Sequence, residues 1–355
     1  MSAKSKKFLK SLLNTISPSG YEGEAANVYQ AEAETFADKV LRDVHGNTDA
    51  IINPGGKVRV MFAGHCDEIG FLISHIDDNG FLWIVPVGGW DPQIAQGQRV
   101  WIRSAKGRVL GVIGKKPIHV LGELARKKVS QIEDIWVDIG AKDKKEAEKL
   151  VEIGDPMVVA QEYDELQGDI IVGRGIDDRV GSFIVLEAAR QLKQLKPKAE
   201  IHAVATVQEE IGLRGATTST YGIDPHVGIA VDVTFATDHP SADDLKKREG
   251  EVKLGGGAVI VRGANINPKV FDLMVDTAKK EKIPYQILAE PRGTGTDANA
   301  IQLSRAGVAT GLVGVPNRYM HSPCELVNYK DLEACATLLA KTAARITTKM
   351  NFIPF

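Results

Sequence analysis

The segment that decides the fold is Val58-Arg-Val-Met-Phe-Ala-Gly-His-Cys-Asp-Glu-Ile-Gly70. Its first six residues form a short, mostly apolar run, with Asn53-Pro-Gly-Gly56 before it and Gly64 after it, which is typical of a buried strand in an α/β sheet. His65 therefore lies just past the carboxyl end of a predicted strand. Because open α/β sheets bind ligands at that edge, we predict a ligand site there.

The same texture returns in the second half of the chain. Apolar runs there alternate with amphipathic stretches of helical length. The predicted strands are 201–207, 227–231, 258–262 and 308–315, and the predicted helices are 178–195, 268–280, 297–305 and 330–349. This alternation predicts an α/β fold, with a mixed but mostly parallel sheet and helices on both of its faces.

Residues 71–165 differ from both flanks, because they contain many short strands and only one predicted helix, at 142–152. The runs FLISHI and FLWIVPV enclose Asp77-Asp-Asn-Gly80, which is a hairpin signature. We therefore predict a small β-barrel or sandwich domain over 71–165, most simply a barrel, inserted between the two parts of an α/β domain formed by 1–70 and 166–355.

Composition excludes several classes of protein. The 355 residues include 44 Lys and Arg against 46 Asp and Glu, a net charge of −2, which argues against nucleic-acid binding and against a polybasic membrane surface. No segment approaches the roughly 20 apolar residues of a membrane span. The three cysteines (Cys66, Cys324 and Cys335) form no CxxC pair, so we expect a reducing, cytoplasmic location. Small molecules or copies of the chain itself are the expected partners.

Five segments place acidic or imidazole side chains where a predicted strand ends or a helix begins. These side chains are His65, Asp67, Asp177, Asp178, Glu209, Glu210, Asp232 and His321. Taken singly, each has an ordinary explanation, such as a helix N-cap for one of the two adjacent aspartates. Together, two histidines and several carboxylates without a thiolate cluster suit Zn, Co or Mn in a catalytic site. The set is large enough for two metal ions that share one carboxylate.

A further segment, Gly293-Thr-Gly-Thr-Asp297, has two readings. Its backbone N–H groups are placed to contact a substrate, or Asp297 is the N-cap of the following helix.

At these five segments the chain resembles the tetrahedral aminopeptidases, a family of co-catalytic metallopeptidases that includes glutamyl and deblocking aminopeptidases. The likeness covers essentially the whole chain, in motif order and in spacing. The motifs that carry it are GHCDEIG (64–70), GRGIDDRVG (173–181), EEIGLRGA (209–216), the Asp-Val pair at 232–233 and MHSPCE (320–325).

The resemblance implies a role for each site residue. His65 and Asp232 would bind one metal ion, and Glu210 and His321 the other. Asp177 would bridge the two ions, Glu209 would be the general base, and Asp67 would orient His65. The two divalent ions in each subunit are expected to be Zn or Co, with Mn as a further candidate.

The implied activity is the removal of N-terminal residues from short peptides. Hydroxide held by the metal pair would attack the scissile carbonyl, with Glu209 as the general base. The resemblance also implies that the insertion at 71–165 mediates dimerisation, and that dimers assemble into a tetrahedral dodecamer. The preferred N-terminal residue stays open.

Three alternatives remain open at this point. A co-catalytic dipeptidase or deacylase would share the fold, but such enzymes usually have a single Asp where this chain has Asp177-Asp178. An endoglucanase would need two carboxylates and no metal, which would leave His65 and His321 without a role. A non-catalytic assembly protein of the same fold has no need of the full ligand set.

Overall fold

A computed structural model of the chain describes residues 1–354. The first part of the chain contains α1 (Ala3–Leu13), α2 (Gly23–Ala33), β1 (Lys39–Arg42), β2 (Thr48–Ile52) and β3 (Arg59–His65). The middle part contains β4 (Gly70–Ile76), β5 (Leu82–Val87), α3 (Pro92–Ala95), β6 (Arg99–Ser104), β7 (Gly107–Lys115), α4 (Glu123–Arg126), β8 (Ile135–Asp138), α5 (Lys144–Ala147) and β9 (Pro156–Val159). Two 3₁₀ turns, Ile118–Val120 and Ile132–Asp134, also lie in this part.

The remainder returns to alternating strands and helices. Its elements are β10 (Asp164–Glu165), β11 (Ile170–Gly173), α6 (Ile176–Leu195), β12 (Glu200–Thr206), α7 (Arg214–Ile223), β13 (Val227–Phe235), α8 (Asp243–Glu249), β14 (Ala258–Gly263), α9 (Pro268–Glu281), β15 (Tyr285–Glu290), α10 (Asp297–Gln302), β16 (Ala309–Asn317), β17 (Glu325–Asn328) and α11 (Tyr329–Arg345).

An eight-stranded sheet forms the centre of the molecule, in the order β1-β2-β12-β3-β13-β16-β14-β15. The four central strands, β12, β3, β13 and β16, are parallel to one another. Antiparallel pairing occurs where β2 joins β1 and β12, and where β14 joins β16. The predicted mixed, mostly parallel sheet is confirmed.

Helices cover both faces of this sheet, as two positions of β3 show. Met61 accepts a hydrogen bond from Thr220 of α7 at its sulfur, whereas Gly64 lies against the backbone of Gly181 in α6. Positions 61 and 64 differ by an odd number, so they face opposite sides of the strand. The prediction of helices on both faces is therefore confirmed.

The middle part closes into a six-stranded barrel in the order β4-β5-β8-β7-β6-β9. It has its own apolar core, in which Phe71, Leu82 and Val137 are fully buried. The barrel that the sequence predicts is thus present, with strands running from Gly70 to Val159. The expectation of a single helix in this region was wrong, because α3 and α4 are one-turn helices too short to show a periodic pattern. The domain limits at 71 and 165, and the role in dimerisation, stay predictions.

No helix within residues 1–354 is both long and apolar enough to cross a membrane.

Candidate metal centre

The central parallel strands bring four of the five predicted segments to one edge of the sheet. His65 is the last residue of β3 and pairs in register with Thr206, the last residue of β12. Glu209 and Glu210 lie three and four residues after the end of β12, Asp232 lies in the carboxyl half of β13, and His321 lies four residues after the end of β16. Because these strands run parallel, their carboxyl ends meet, as the sequence predicts.

A small second sheet adds the remaining segment. In its order β10-β11-β17, Gly173 of β11 pairs with Glu325 of β17. This pairing places the start of α6, which carries Asp177, beside the loop that carries His321. The peptide bond between Asp177 and Asp178 is cis.

Asp177 lies between the two imidazoles. Its Oδ1 is 3.2 Å from Nε2 of His65, and its Oδ2 is 3.2 Å from Nε2 of His321. Asp177 and His65 are buried, whereas the side chain of His321 is 37% exposed. The two carboxylate oxygens therefore point toward different ring nitrogens, one on each side.

The other predicted ligands join these two sides. Glu210 Oε1 lies 3.5 Å from Nε2 of His321. His65, Asp177 and Glu210 form one group whose ligand atoms all lie within 4.8 Å of each other, and His65, Asp178 and Asp232 form a second such group. Glu209 Oε2 stands 3.8 Å from Nε2 of His65 without being part of either group.

Asp67 lies behind His65 and is fully buried. Nδ1 of His65 is 3.4 Å from Oδ1 of Asp67 and 3.3 Å from its carbonyl oxygen. The same carboxylate accepts the backbone N–H groups of Glu209 and Glu210, at 3.1 and 3.2 Å, and the hydroxyl of Ser19 at 2.6 Å. One buried carboxylate thus fixes the imidazole and the two adjacent glutamates together.

The carboxylates of the site crowd one another in a buried space. Burial raises the pKa of Glu209 to about 10; His65 opposes this rise, and Asp232, Asp297 and Glu210 add to it. Burial and neighbouring carboxylates likewise raise the pKa of Asp178, Asp232 and Glu210. The cluster contains more carboxyl groups than two imidazoles can balance, so these four carboxyl groups resist ionisation.

The pKa values of the two imidazoles are raised as well, which for an imidazole favours the charged form. Burial lowers the pKa of His65, but Glu209, Asp177 and Asp67 outweigh it, so the pKa rises well above its ordinary value. The carboxylates of Asp177 and Glu210 beside the ring raise the pKa of His321 to about 11. Both rings therefore lie where positive charge is strongly favoured.

The imidazole and carboxylate side chains of this site fit divalent metal ions. Oε1 of Glu210 is buried and has no hydrogen-bond partner, although a carboxylate oxygen in that position needs a proton donor or a cation. The set consists of imidazole nitrogens and carboxylate oxygens, the ligands of catalytic Zn and related metals.

Sequence reasoning missed several residues of the site. Glu325 is fully buried and accepts the backbone N–H groups of Asp177 and His321, at 3.0 and 2.9 Å. Its only local signal is its place in the MHSPCE motif. The N-cap of α10 is Thr296, so the N-cap reading of Asp297 was wrong; that buried carboxylate accepts the hydroxyl of Thr206 at 2.6 Å.

Comparison with known proteins now decides the family. The M42 glutamyl aminopeptidase family matches residues 46–338. A lysyl aminopeptidase from Pyrococcus furiosus is 39% identical over 350 residues, which are 98% of each chain. The chain belongs to the M42 glutamyl aminopeptidase family. As an M42 peptidase it is an aminopeptidase, a hydrolase that acts on N-terminal residues, and the family implies divalent metal ions.

Solved M42-like structures have the same architecture over the whole length. A TET aminopeptidase from a marine-sediment Thaumarchaeota archaeon superposes with a TM-score of 0.92 at 35% identity, covering 98% of both chains. The Pyrococcus horikoshii TET1 peptidase has a TM-score of 0.86 at 32% identity, covering 96% of this chain and 100% of the other. That peptidase can assemble into a tetrahedron or a large octahedral shell. These matches confirm the predicted family and do not favour the alternative activities.

Proposed function

We propose that this M42 aminopeptidase holds two divalent metal ions, Zn or Co, between its two imidazoles. His65 and Asp232 would hold one ion, Glu210 and His321 the other, and Asp177 both. The observation that carries this assignment is the position of Asp177, whose two oxygens face His65 and His321 at equal distances of 3.2 Å. A carboxylate with one oxygen toward each side of a site suits a ligand shared by two ions.

We propose Glu209 as the general base. When bound, the metal ions supply Lewis-acid activation of water and of the scissile carbonyl. The Glu209 carboxylate receives a proton from the attacking water and returns it to the leaving amine. Its Oε2 lies 3.8 Å from Nε2 of His65, beside the proposed ligands but not among them. Asp67 holds the backbone of Glu209 in place and orients His65.

Short peptides with a free N-terminus are the proposed substrates. The family is named for glutamyl aminopeptidase activity, and one relative is a lysyl aminopeptidase. The panel of peptides must therefore include acidic, basic and apolar first residues. Each peptide is supplied with a free and with an acetylated N-terminus. Protein stripped by a chelator is then compared with protein restored with Zn, Co or Mn.

The result expected is release of the first residue from free peptides only, and only after a metal has been restored. Equal cleavage of acetylated peptides, or full activity of the stripped protein, would contradict the proposal. Glu209→Gln should keep the metal content and lose about 100-fold or more in kcat. Glu133→Gln, which removes an exposed carboxylate of the barrel region, is the matched control and should act like the parent protein.

We further propose that the barrel mediates dimerisation and that six dimers form a tetrahedral dodecamer. The support is the P. horikoshii relative, which can assemble into a tetrahedron. Light scattering coupled to size-exclusion chromatography measures the assembly; a particle of twelve chains supports the proposal, and a monomer overturns it. The cytoplasmic location stays a prediction.

A further inference from the structure

A loop of the barrel lies against the metal centre. Residues 88–90 connect β5 to the segment that begins α3, so they belong to the barrel rather than to the α/β domain. Two predicted ligands, Glu210 and His321, lie next to this loop although both belong to the α/β domain. The contact therefore crosses from one part of the fold to the other.

The main contact is made by a backbone carbonyl. Nδ1 of His321 lies 3.1 Å from the carbonyl oxygen of Gly89, while Nε2 of the same ring faces Asp177 and Glu210. A carbonyl oxygen only accepts hydrogen bonds, so the proton of a neutral ring lies on Nδ1 and the lone pair lies on Nε2. This is the tautomer that a metal ligand needs at Nε2.

The glycine before it fixes where that carbonyl lies. Gly88 has a φ of +76°, and a Cβ added to it would lie 2.6 Å from Cγ2 of Ile69 and 3.5 Å from Cβ of Glu210. A side chain at position 88 thus strains the backbone and collides with Ile69, so the loop has to move. Any such movement shifts the carbonyl that faces His321.

The next residue fixes the loop to the barrel. Trp90 stacks on Phe71 of β4, with ring centroids 4.6 Å apart, and Phe71 is fully buried in the barrel core. Trp90 also lines a small cavity together with Asp177, Glu210 and His321. The loop is therefore held by packing from the barrel side and touches the metal centre on the other side.

We propose that the barrel loop 88–90 is a positioning element of the metal centre, which sets the tautomer and orientation of His321 through the carbonyl of Gly89. This inference rests on the proposed role of His321 as a metal ligand. The barrel is then part of the catalytic site as well as a candidate for assembly. No role in the reaction itself is assigned to these three residues.

The test concerns the metal ion that Glu210 and His321 are proposed to hold, which we call the second ion. Competition with a chelating indicator measures the affinity of the protein for this ion. Gly88→Ala should weaken that affinity by about 10- to 100-fold, the usual effect of losing a group that orients a ligand. Gly97→Ala is the matched control, because Gly97 also lies in the barrel region with a φ of +79° but has open space around its Cβ position. It should bind both ions as the parent protein does.

A second variant and a second readout keep the test decisive if Gly88→Ala folds poorly. Trp90→Ala removes the stack on Phe71 and should also weaken the second ion, whereas Trp83→Ala removes a different barrel tryptophan and should not. In cobalt-loaded protein, the paramagnetically shifted N–H proton of His321 should exchange faster in both loop variants. It should stay as in the parent protein in both controls.

Parent-like affinity and N–H exchange in both loop variants would overturn the inference. His321→Ala, measured in parallel, separates this failure from a failure of the proposed function. If His321→Ala loses the second ion while both loop variants keep it, only the positioning role is wrong. If His321→Ala itself binds both ions normally, His321 is not a ligand and the assigned ligand set is wrong.

Discussion

Oε2 of Glu325 accepts a hydrogen bond from the backbone N–H of Asp177 at 3.0 Å. The other oxygen of this buried carboxylate accepts the backbone N–H of His321 at 2.9 Å. Two residues that are 144 positions apart in the sequence are thereby held by one side chain. Glu325 faces the backbone of the site, and no role as a metal ligand is needed to explain its burial.

Replacing Glu325 by Gln should loosen both residues. An amide has one acceptor oxygen instead of two, so one of the backbone N–H groups loses its partner and meets an NH₂ group. We expect metal affinity to fall by about 10- to 100-fold. Metal content after dialysis against a chelator measures this. Glu123→Gln, at an exposed position, should keep its metal, and equal retention by both variants would contradict the role of Glu325.

Asp67→Asn should affect His65 and the two glutamates together. The carboxylate accepts from Glu209 and Glu210 and lies beside Nδ1 of His65, and an amide leaves one of these groups opposed by its NH₂. We expect kcat to fall by about 10- to 100-fold. Ser19→Ala removes only one hydrogen bond to Asp67 and should have a smaller effect. A larger loss in Ser19→Ala than in Asp67→Asn would be inconsistent with this arrangement.

Glu68 holds a buried ion cluster beneath the site. Its carboxylate contacts Arg174 and Arg179, and all three residues are almost fully buried. Removing the charge in Glu68→Gln leaves two buried guanidinium groups without a counter-ion, which should lower the free energy of unfolding by about 3 to 5 kcal/mol.

Urea unfolding of Glu68→Gln, with Glu123→Gln as the control, checks this prediction. Glu123 forms an exposed ion pair with Lys127, so its loss should leave the unfolding free energy close to that of the parent protein. The prediction fails if the two variants unfold at the same urea concentration.

His202 should make stability depend on pH. The ring lies 2.7 Å from Asp49 and 3.0 Å from Glu200. Burial lowers its pKa, but these two carboxylates outweigh burial and the pKa is raised. A raised pKa in the folded state means that the stabilisation is complete below the unfolded pKa of about 6.5 and is lost as the pH rises through the folded value.

The corresponding variant is His202→Gln. It should lower the free energy of unfolding by about 1 to 3 kcal/mol at pH 6 and by less at pH 9, since the charged hydrogen bonds are weakened in the parent protein at high pH. Urea unfolding at the two pH values measures both differences. A larger effect at pH 9 than at pH 6 would show that the sign is wrong.

Gly64→Ala should separate β3 from α6. A Cβ at this position would lie 2.4 Å from the carbonyl carbon of Gly181, which is backbone and cannot rotate away. Because His65 and Asp177 lie on these two elements, we expect weaker metal binding together with a loss of about 1 to 3 kcal/mol in stability. Gly222→Ala in α7 has open space and should be neutral or slightly stabilising. Unchanged metal binding in Gly64→Ala would contradict the close approach.

The parts of the fold that follow a periodic pattern were predictable from the sequence. The apolar run before His65 is a central parallel strand, and its carboxyl end lies where the sequence predicts. The strand β2, which is second from one edge of the sheet, and the helix α7 were not predicted. Thr48–Ile52 is a five-residue strand without a clear alternation, and the glycines and threonines of Arg214–Ile223 give little helical signal.

The site was predictable where a motif or a strand end marked a residue, as at His65 and Glu210. The groups that support those residues were not. Glu68 meets Arg174 and Arg179 across more than a hundred residues, and Gly89 meets His321 across 232. Such partners depend on tertiary packing, so a single sequence has no local pattern that reveals them.

The most direct test of the central claim is anomalous diffraction from crystals soaked in a zinc salt, recorded on both sides of the zinc absorption edge. We predict two peaks in each subunit, one on either side of the Asp177 carboxylate, with His65 and Asp232 at one and Glu210 and His321 at the other. A single peak, or a pair of peaks that does not flank Asp177, would contradict the two-metal assignment.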